Sequence, residues 1–415
     1  MTYRKDRLPK SITNQNKERN TIMKKLYLIL MFTLLLLLGG CSRLTPSPHG
    51  ELPADEAVRF TTQYPVYADD VQTISFRIEN AGEGEISFGA EYALEKLTAS
   101  GWMTVPFAKD VGFVQPLYTV LPGGGFPDSI SMHMFDHTLS NGTYRILKEI
   151  NDKMYAAEFT VGDSTITANT PHGYAPLESL PKDYSAEDAL ADGVVIRRLD
   201  GTLENTGKID EFFSHLLNGY SAQLRLCGFT DEGQPVLSDL LVESHDRICF
   251  RRDNGRGIEE TYYSAFVTDG NTLALSNAFT WLENDKHRME IFELNTDWEN
   301  RSALLQSLPG LYDSIDFSPL RQNFWSPDGL IAITIRYREE EDPRAFLFNQ
   351  NYAEGGSRGQ VDGLGEHMDK AAAITDVLWS ADSKTAVLAC EAADGGDPWY
   401  FTYDVESNEI VSYTR

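Results

Sequence analysis

From residue 74 the chain alternates. Ile74, Phe76 and Ile78 are apolar, and Ser75 and Arg77 between them are polar. A period of two puts one set on each face of a strand. No other feature constrains the fold as strongly, because a slip of one residue would turn every apolar side chain toward water. Short strand-like runs continue over about 100 residues. Strands are expected at 86–88, 92–97, 102–107, 130–134, after the turn at 139–143, and at 156–161. Asn80-Ala-Gly-Glu-Gly-Glu85 and Leu121-Pro-Gly-Gly-Gly125 are turns between them. Seven or so short strands with regular turns predict a β-sandwich over residues 56–163.

Leu139 followed by Gly142-Thr-Tyr144 has the spacing of a tyrosine corner, in which a Tyr hydroxyl bonds back to the main chain just before it. The succession Asn80, Tyr92-Ala-Leu-Glu, Gly101-Trp102, Val105-Pro106, Leu121-Pro-Gly, Gly142-Thr-Tyr-Arg145 and Glu158-Phe159 resembles a bacterial immunoglobulin-like domain of Gram-positive secreted proteins and lipoproteins. The resemblance implies a structural or adhesive module with no catalytic residues to carry over. Trp102 and Tyr144 are then expected to be core or corner residues.

The beginning of the chain reads differently. Lys24 and Lys25 precede an uncharged apolar run from Leu26 to Leu38, then Gly39, Gly40 and Cys41. A charged start, an apolar middle and small residues at the end make an export signal. The run is shorter than the roughly 20 residues that span a bilayer comfortably. Leu38-Gly39-Gly40-Cys41 resembles the lipobox of bacterial lipoproteins. The resemblance implies lipidation of Cys41, cleavage before it, and anchoring on the extracytoplasmic face of the cell membrane. Residues 1–40 are then excluded from folding, and residues 41–55, with their Pro, Ser and Gly, are expected to be a structureless lipid-anchored tether. Residues 1–22 are polar and basic, and Met23 is the more natural start.

Residues 1–40 hold eight Lys and Arg and two Asp and Glu, so the remainder of a chain of formal net charge −26 carries −32. Such a chain repels nucleic acid, and a nucleic-acid partner is excluded. The acidic run Glu339-Glu-Glu-Asp342 reads as a solvated loop.

Residues 164–182, with Pro171, Pro176 and Pro181, read as a linker to a small α+β domain at 183–263. Ser185 and Asp188 have capping-box spacing ahead of a short helix that ends at Asp192-Gly193. Ile209, Phe212, Phe213, Leu216 and Leu217 recur at helical spacing and predict a helix with a core-facing stripe, stopped at Gly219. Three strands, 223–230, 236–243 and 247–252, joined by short turns, predict an antiparallel meander. That places Cys227 and Cys249 two strand spacings apart, roughly 9.5 Å, beyond the reach of a disulfide. Both are expected as buried free thiols. Tyr184-Ser-Ala-Glu-Asp-Ala189, Asp192-Gly-Val-Val195 and Thr230-Asp-Glu-Gly-Gln-Pro235 also resemble a small lipoprotein domain of unknown function. That resemblance implies a compartment and a fold type, and no chemistry.

Residues 264–415 repeat. Trp325-Ser-Pro-Asp-Gly329 and Trp379-Ser-Ala-Asp-Ser383 each precede an apolar strand and then an aromatic one. The pair resembles propeller blades. Two repeats are clear and residues 289–294 offer a third, whereas a closed propeller takes at least about four. The expectation is a compact domain of propeller-like hairpins packed on the meander. The whole chain is thus read as multidomain and mainly β.

Little in the sequence carries chemistry. Gly355-Gly-Ser-Arg-Gly359 matches the nucleophile-elbow pattern around Ser357, with His367 nearby. An elbow needs a strand before it and a helix after it, so a Gly-rich surface loop is expected instead. His133 and His137 straddle a turn without a third ligand, so no metal is expected, and no motif calls for a cofactor. The resulting expectation is a non-enzymatic lipoprotein that binds a protein or cell-envelope ligand. The other readings are a sensor or scaffold using the propeller-like domain, and an envelope hydrolase with its site in the C-terminal half.

Overall fold

The computed structural model describes residues 44–52, 55–181, 183–244, 247–253, 256–279, 281–283, 285–294, 300–312, 321–338, 342–351, 356–360 and 371–415. The signal segment, Cys41, His367 and most of the acidic run at 339–342 lie outside these described residues.

The alternating segment folds as expected into two facing sheets. One has the order Thr45–Pro46, Gly101–Thr104, Ala93–Thr98, Gly142–Ile150, Lys153–Val161, Val66–Tyr67, and the other Val58–Thr62, Thr73–Asn80, Gly125–Ser131. A separate pair joins Ile86–Phe88 to Tyr118–Val120. Ile74, Phe76 and Ile78 have no exposed surface, and they pack with Ile130, Tyr144, Ile146 and Phe159. The tyrosine corner is present. The Ser140 N–H donates to the Tyr144 hydroxyl at 3.1 Å, and that hydroxyl donates to the Ser140 carbonyl at 3.0 Å.

Three expectations for this unit change. Met132 and Met134 do not extend the strand. It ends at Ser131, opposite Thr73, and Met132–Met134 is a 3-10 turn where the chain leaves the sheet. Trp102 is buried on the outer face of its sheet, with the Arg145 guanidinium 4.1 Å from its ring. The described part of the tether is not structureless. Thr45–Pro46 pairs with Gly101–Thr104, and Arg145 donates to the carbonyls of His49 and Gly50 at 3.1 and 3.0 Å. Arg145 also holds Glu95 at 2.7 Å, both 1% exposed. A buried ion pair must have its remaining donors satisfied, and the main chain of the tether does this.

The second unit has a six-stranded sheet of order Leu203–Glu204, Val195–Arg197, Ala222–Phe229, Pro235–Ser244, Arg247–Asp253, Ile258–Tyr263. The expected meander has a fourth strand, and Val195–Arg197 joins it in parallel. Ser185 and Asp188 close a capping box on Ala186–Ala191. Helix Gly207–Leu217 buries Ile209, Phe212, Phe213 and Leu216, whereas Leu217 is 40% exposed, one position past the stripe. Cys227 and Cys249 are free and buried, as is Cys390. The first two face different residues of the intervening strand, Leu237 and Leu241.

The boundary expected after residue 263 is not a boundary of the core. Ala265, Phe266, Leu275, Phe292, Leu304 and Tyr312 share one apolar cluster with Phe212, Leu224 and Leu240. Ala265–Thr268, Thr272–Ser276 and Met289–Glu293 form a three-stranded sheet within it. Two four-stranded meanders follow: Arg321–Trp325, Ile331–Arg338, Asp342–Asn351, Gly356–Gln360, and then Ala371–Trp379, Thr385–Ala392, Trp399–Asp404, Glu409–Thr414. The described residues are mainly β.

The two Trp-Ser-x-Asp turns are built alike. Ser326 Oγ donates to Asp328 at 2.6 Å and accepts from the Ile331 N–H at 3.0 Å; Ser380 Oγ donates to Asp382 at 2.7 Å and accepts from the Thr385 N–H at 3.0 Å. Gly329 and Ser383 take the left-handed conformation, at φ 66° and 59°. Each Trp then reaches outside its own sheet or strand pair. Trp325 Nε1 donates to Ser264 Oγ and Trp379 Nε1 to the Phe324 carbonyl, both at 3.0 Å.

Candidate functional site

A cleft of about 310 Å³ opens between the sandwich and the second unit. Three segments distant in sequence line it. Tyr64 comes from the crossing between Val58–Thr62 and Val66–Tyr67, and its N–H donates to the Tyr67 hydroxyl at 3.0 Å. His172 and Tyr174 come from the expected linker. That segment is folded down by Ser164 Oγ, which donates to the Val66 carbonyl at 3.0 Å, and by the Ala68 N–H, which donates to Ile166 at 2.9 Å. Gly173 turns there at φ 87°. Lys208, Glu211 and His215 come from helix Gly207–Leu217, on a face left beside its buried stripe.

The interface around the cleft is polar and specific. Gln63 Nε2 donates to the Ser221 carbonyl at 2.8 Å, and Arg77 Nη1 donates to the Asn218 carbonyl at 2.8 Å. Asn218 caps the helix, so a guanidinium meets a carbonyl that the helix leaves unpaired. Gly219 follows at φ 78°, and a Cβ there would meet Pro127 of the sandwich at 2.6 Å. Only glycine allows both the turn and the approach.

Inside the cleft, Tyr64 Oη lies 3.3 Å from His172 Nδ1, and the Tyr64 ring meets His215 edge-on at 5.2 Å. Burial, followed by the nearby His215, pushes His172 down to about 4. Burial lowers His215 as well, and Glu211 partly opposes it. Burial and the Glu211 charge raise the Tyr64 hydroxyl well above the ordinary tyrosine value. Tyr174 is pushed up to about 12, burial first, and its ring lies 5.1 Å from the Arg225 guanidinium. Arg225 is itself held by Asp239 at 2.7 Å, with 2% and 0% exposed. At neutral pH the cleft therefore offers neutral imidazoles and protonated phenols. The exposed Lys208–Glu211 pair, at 2.7 Å, stands at its rim. Such groups hold a small polar ligand through hydrogen bonds and ring edges.

The residues singled out from sequence fall elsewhere. Ser357 lies within strand Gly356–Gln360, opposite Gln350. The expected Gly-rich loop is thus a strand from Gly356 on, while Gly355 and residues 361–370, where an elbow's helix would stand, lie outside the described residues. His133 is exposed, while burial lowers His137. Among the described residues, no three His, Cys, Asp or Glu side chains gather as metal ligands. Sequence reasoning singled out none of Tyr64, His172 and His215, which lie far apart along the chain. They meet because the linker folds back across the domain interface.

Among the described residues, no helix is long and apolar enough to cross a membrane. No curated protein matches the chain. Several solved structures share local likeness. An alkylpurine DNA glycosylase of Pseudomonas fluorescens is 16% identical over 26% of this chain and 32% of its own, at a TM-score of 0.18. A β-glucosidase of Listeria innocua is 12% identical over 26% and 16%, at 0.16. An archaellum periplasmic stator complex of Sulfolobus acidocaldarius is 13% identical over 29% and 98%, at 0.18. The chain thus spans less than a third of the first two, and nothing about activity follows from scores this low. Residues 54–160 match a protein-family model described as a bacterial Ig-like domain, and the match covers nearly all of the sandwich.

Proposed function

We propose that this chain is a non-enzymatic binding protein, anchored through lipid on Cys41 to the extracytoplasmic face of the cell membrane. The match of residues 54–160 to a bacterial Ig-like domain supports this reading above all, since such a module suits a surface or extracellular binding role. The Gly39-Gly40-Cys41 sequence shortly before that domain supplies the anchor. The interdomain cleft is the ligand site of this reading, and the ligand is a cell-envelope or protein component that presents a small polar group. The net charge of −32 after residue 40 argues against nucleic acid.

The anchor is tested by growing cells that express the full chain with an alkyne-bearing fatty acid. The expected result is a labelled chain in the membrane fraction, and an unlabelled, uncleaved Cys41→Ser variant. Equal labelling of both, or an unlabelled chain released to the medium, would sink the reading.

A second reading is favoured by the twin Trp-Ser-x-Asp turns, which tie successive sheets together as blades are tied in a propeller. In it, the C-terminal sheets form a propeller-like platform for a peptide or protein.

A further inference from the structure

Single exposed apolar side chains are ordinary on a protein surface. Two that stand together on an uncharged loop call for a partner. Val114 is 75% exposed and Leu117 76%, the highest values of any large apolar side chain among the described residues. Both lie on the loop between strands Gly101–Thr104 and Tyr118–Val120. No charged residue occurs from Val111 to Pro127, in a chain that is 24% charged.

The loop is held at its base and exposed at its tip. The Ala108 N–H donates to the Met134 carbonyl at 2.8 Å, and the Phe107 ring stacks on Phe135 at 5.0 Å. Phe113 meets Tyr92 edge-on at 5.0 Å and Phe107 at 5.4 Å. At the other end Tyr118–Val120 pairs with Ile86–Phe88. Phe113 and Pro116 are thus half-buried, and Val114, Gln115 and Leu117 are left outside.

The tether leads to this loop. Thr45 pairs with Thr104 in an antiparallel ladder. The chain therefore leaves that pair at Leu44 in the direction taken by Val105, Pro106 and Phe107, toward the base of the loop. Cys41 is four residues before Thr45, at most about 14 Å of extended chain. A lipid on Cys41 brings a bilayer within reach of Val114 and Leu117. The chain after residue 40 carries −32, so anionic headgroups do not draw it in. What the loop offers a bilayer is apolar surface.

We propose that residues 111–117 dip into the membrane interface and, with the lipid on Cys41, fix how the sandwich stands on the membrane. This rests on the lipid anchor inferred above. A lipid alone leaves the domain free to swivel, and a second contact from the same domain removes that freedom.

The full chain, purified in lipidated form and set in phosphatidylcholine vesicles, tests it with a bimane fluorophore on Gln115→Cys. Cys227, Cys249 and Cys390 are buried and stay unlabelled. Asp163→Cys is the reference, just after Lys153–Val161 and three strands from Gly101–Thr104. Lipids with a nitroxide high on the acyl chain are expected to quench Gln115→Cys about twofold or more, at the depth of an interfacial contact, and to leave Asp163→Cys unchanged. Adding Val114→Asp and Leu117→Asp, both at exposed positions, brings that quenching down to the reference without lowering the melting temperature. Quenching that survives these two changes, or that is equal at the two labelled sites, overturns the proposal. So does a blue shift of Gln115→Cys without nitroxide quenching, which means that a protein surface covers the loop. A chain that floats with the vesicles while Gln115→Cys stays unquenched sinks the loop contact and leaves the anchor standing. A chain that does not float sinks the anchor, and the loop contact with it.

Discussion

Lys148 and Arg145 stand three residues apart on one strand and end in opposite situations. Arg145 faces outward, yet it is sealed by Glu95, Trp102 and the tether carbonyls. Lys148 shares the inward parity of Tyr144, Ile146 and Ile150, is 1% exposed, and its Nζ has no hydrogen-bond partner among the described residues. Its ammonium lies 5.5 and 5.9 Å from the rings of Phe88 and Tyr92. Burial holds its pKa below the ordinary 10.5, against the distant pull of Asp128 and Glu91. Between the depressed value and 10.5 the unfolded chain binds more protons than the folded one, so stability rises with pH across that window. Lys148→Met removes an unsatisfied buried donor and is expected to stabilise the protein by about 1–3 kcal/mol. It should also flatten that rise. Urea unfolding at pH 7 and pH 10 measures both, and a variant less stable than its parent would show that the amine has a role the fold needs. The parity of this strand was readable in the sequence. Only the structure shows that Lys148 falls on the inward face.

At the scale of elements, the best sequence signals were those that state their own geometry. The capping box at Ser185 and Asp188, the helical stripe except for Leu217, and the Trp-Ser-x-Asp turns formed as spaced. Each of these is closed by residues within five positions, so local sequence contains the whole device. Elements that depend on a distant partner were read less well. Met132 and Met134 alternate like a strand, but the partner strand stops at Thr73. Gly356–Gln360 looks like a loop, but Asp342–Asn351 offers it a partner. The turns also support a prediction. Ser326 is 1% exposed, and its hydroxyl bonds Asp328, the Ile331 N–H and the Ile331 carbonyl. Ser326→Ala leaves a buried N–H unpaired and should cost about 1–3 kcal/mol. The matching Ser380→Ala change, where water reaches the turn, should cost less. Equal losses in chemical denaturation would contradict this account of the turns.

At the scale of the molecule, the interface between the sandwich and the second unit holds two half-buried histidines beside one tyrosine. His172 titrates at about 4 when folded and near 6.5 when exposed, so between these values only the unfolded chain takes the proton. Its contribution is present above pH 6.5 and is lost as the pH falls toward 4. Sandwich and second unit should therefore come apart more easily in acid, and less so in His172→Gln. Denaturant midpoints of parent and variant at pH 7.5 and 4.5 test this. Parallel losses in the two chains would assign the acid sensitivity to other groups.

By itself the sequence determined the local devices, the alternation that makes a sandwich, the mainly β character and the expectation of an exported, acidic chain. These follow from spacing within a few residues, where the chain's own covalent geometry decides what can meet. The tertiary structure decided what those elements are used for. It turned the described part of a tether into an edge strand followed by two carbonyls, those of His49 and Gly50, that complete a buried ion pair, and a linker into the wall of a cleft. It also drew residues 264–312 into the core of the unit before them. Contacts between residues 40 to 160 positions apart carried each of these outcomes. Such contacts depend on which surfaces remain uncovered once the local pieces have formed, and no local pattern records that.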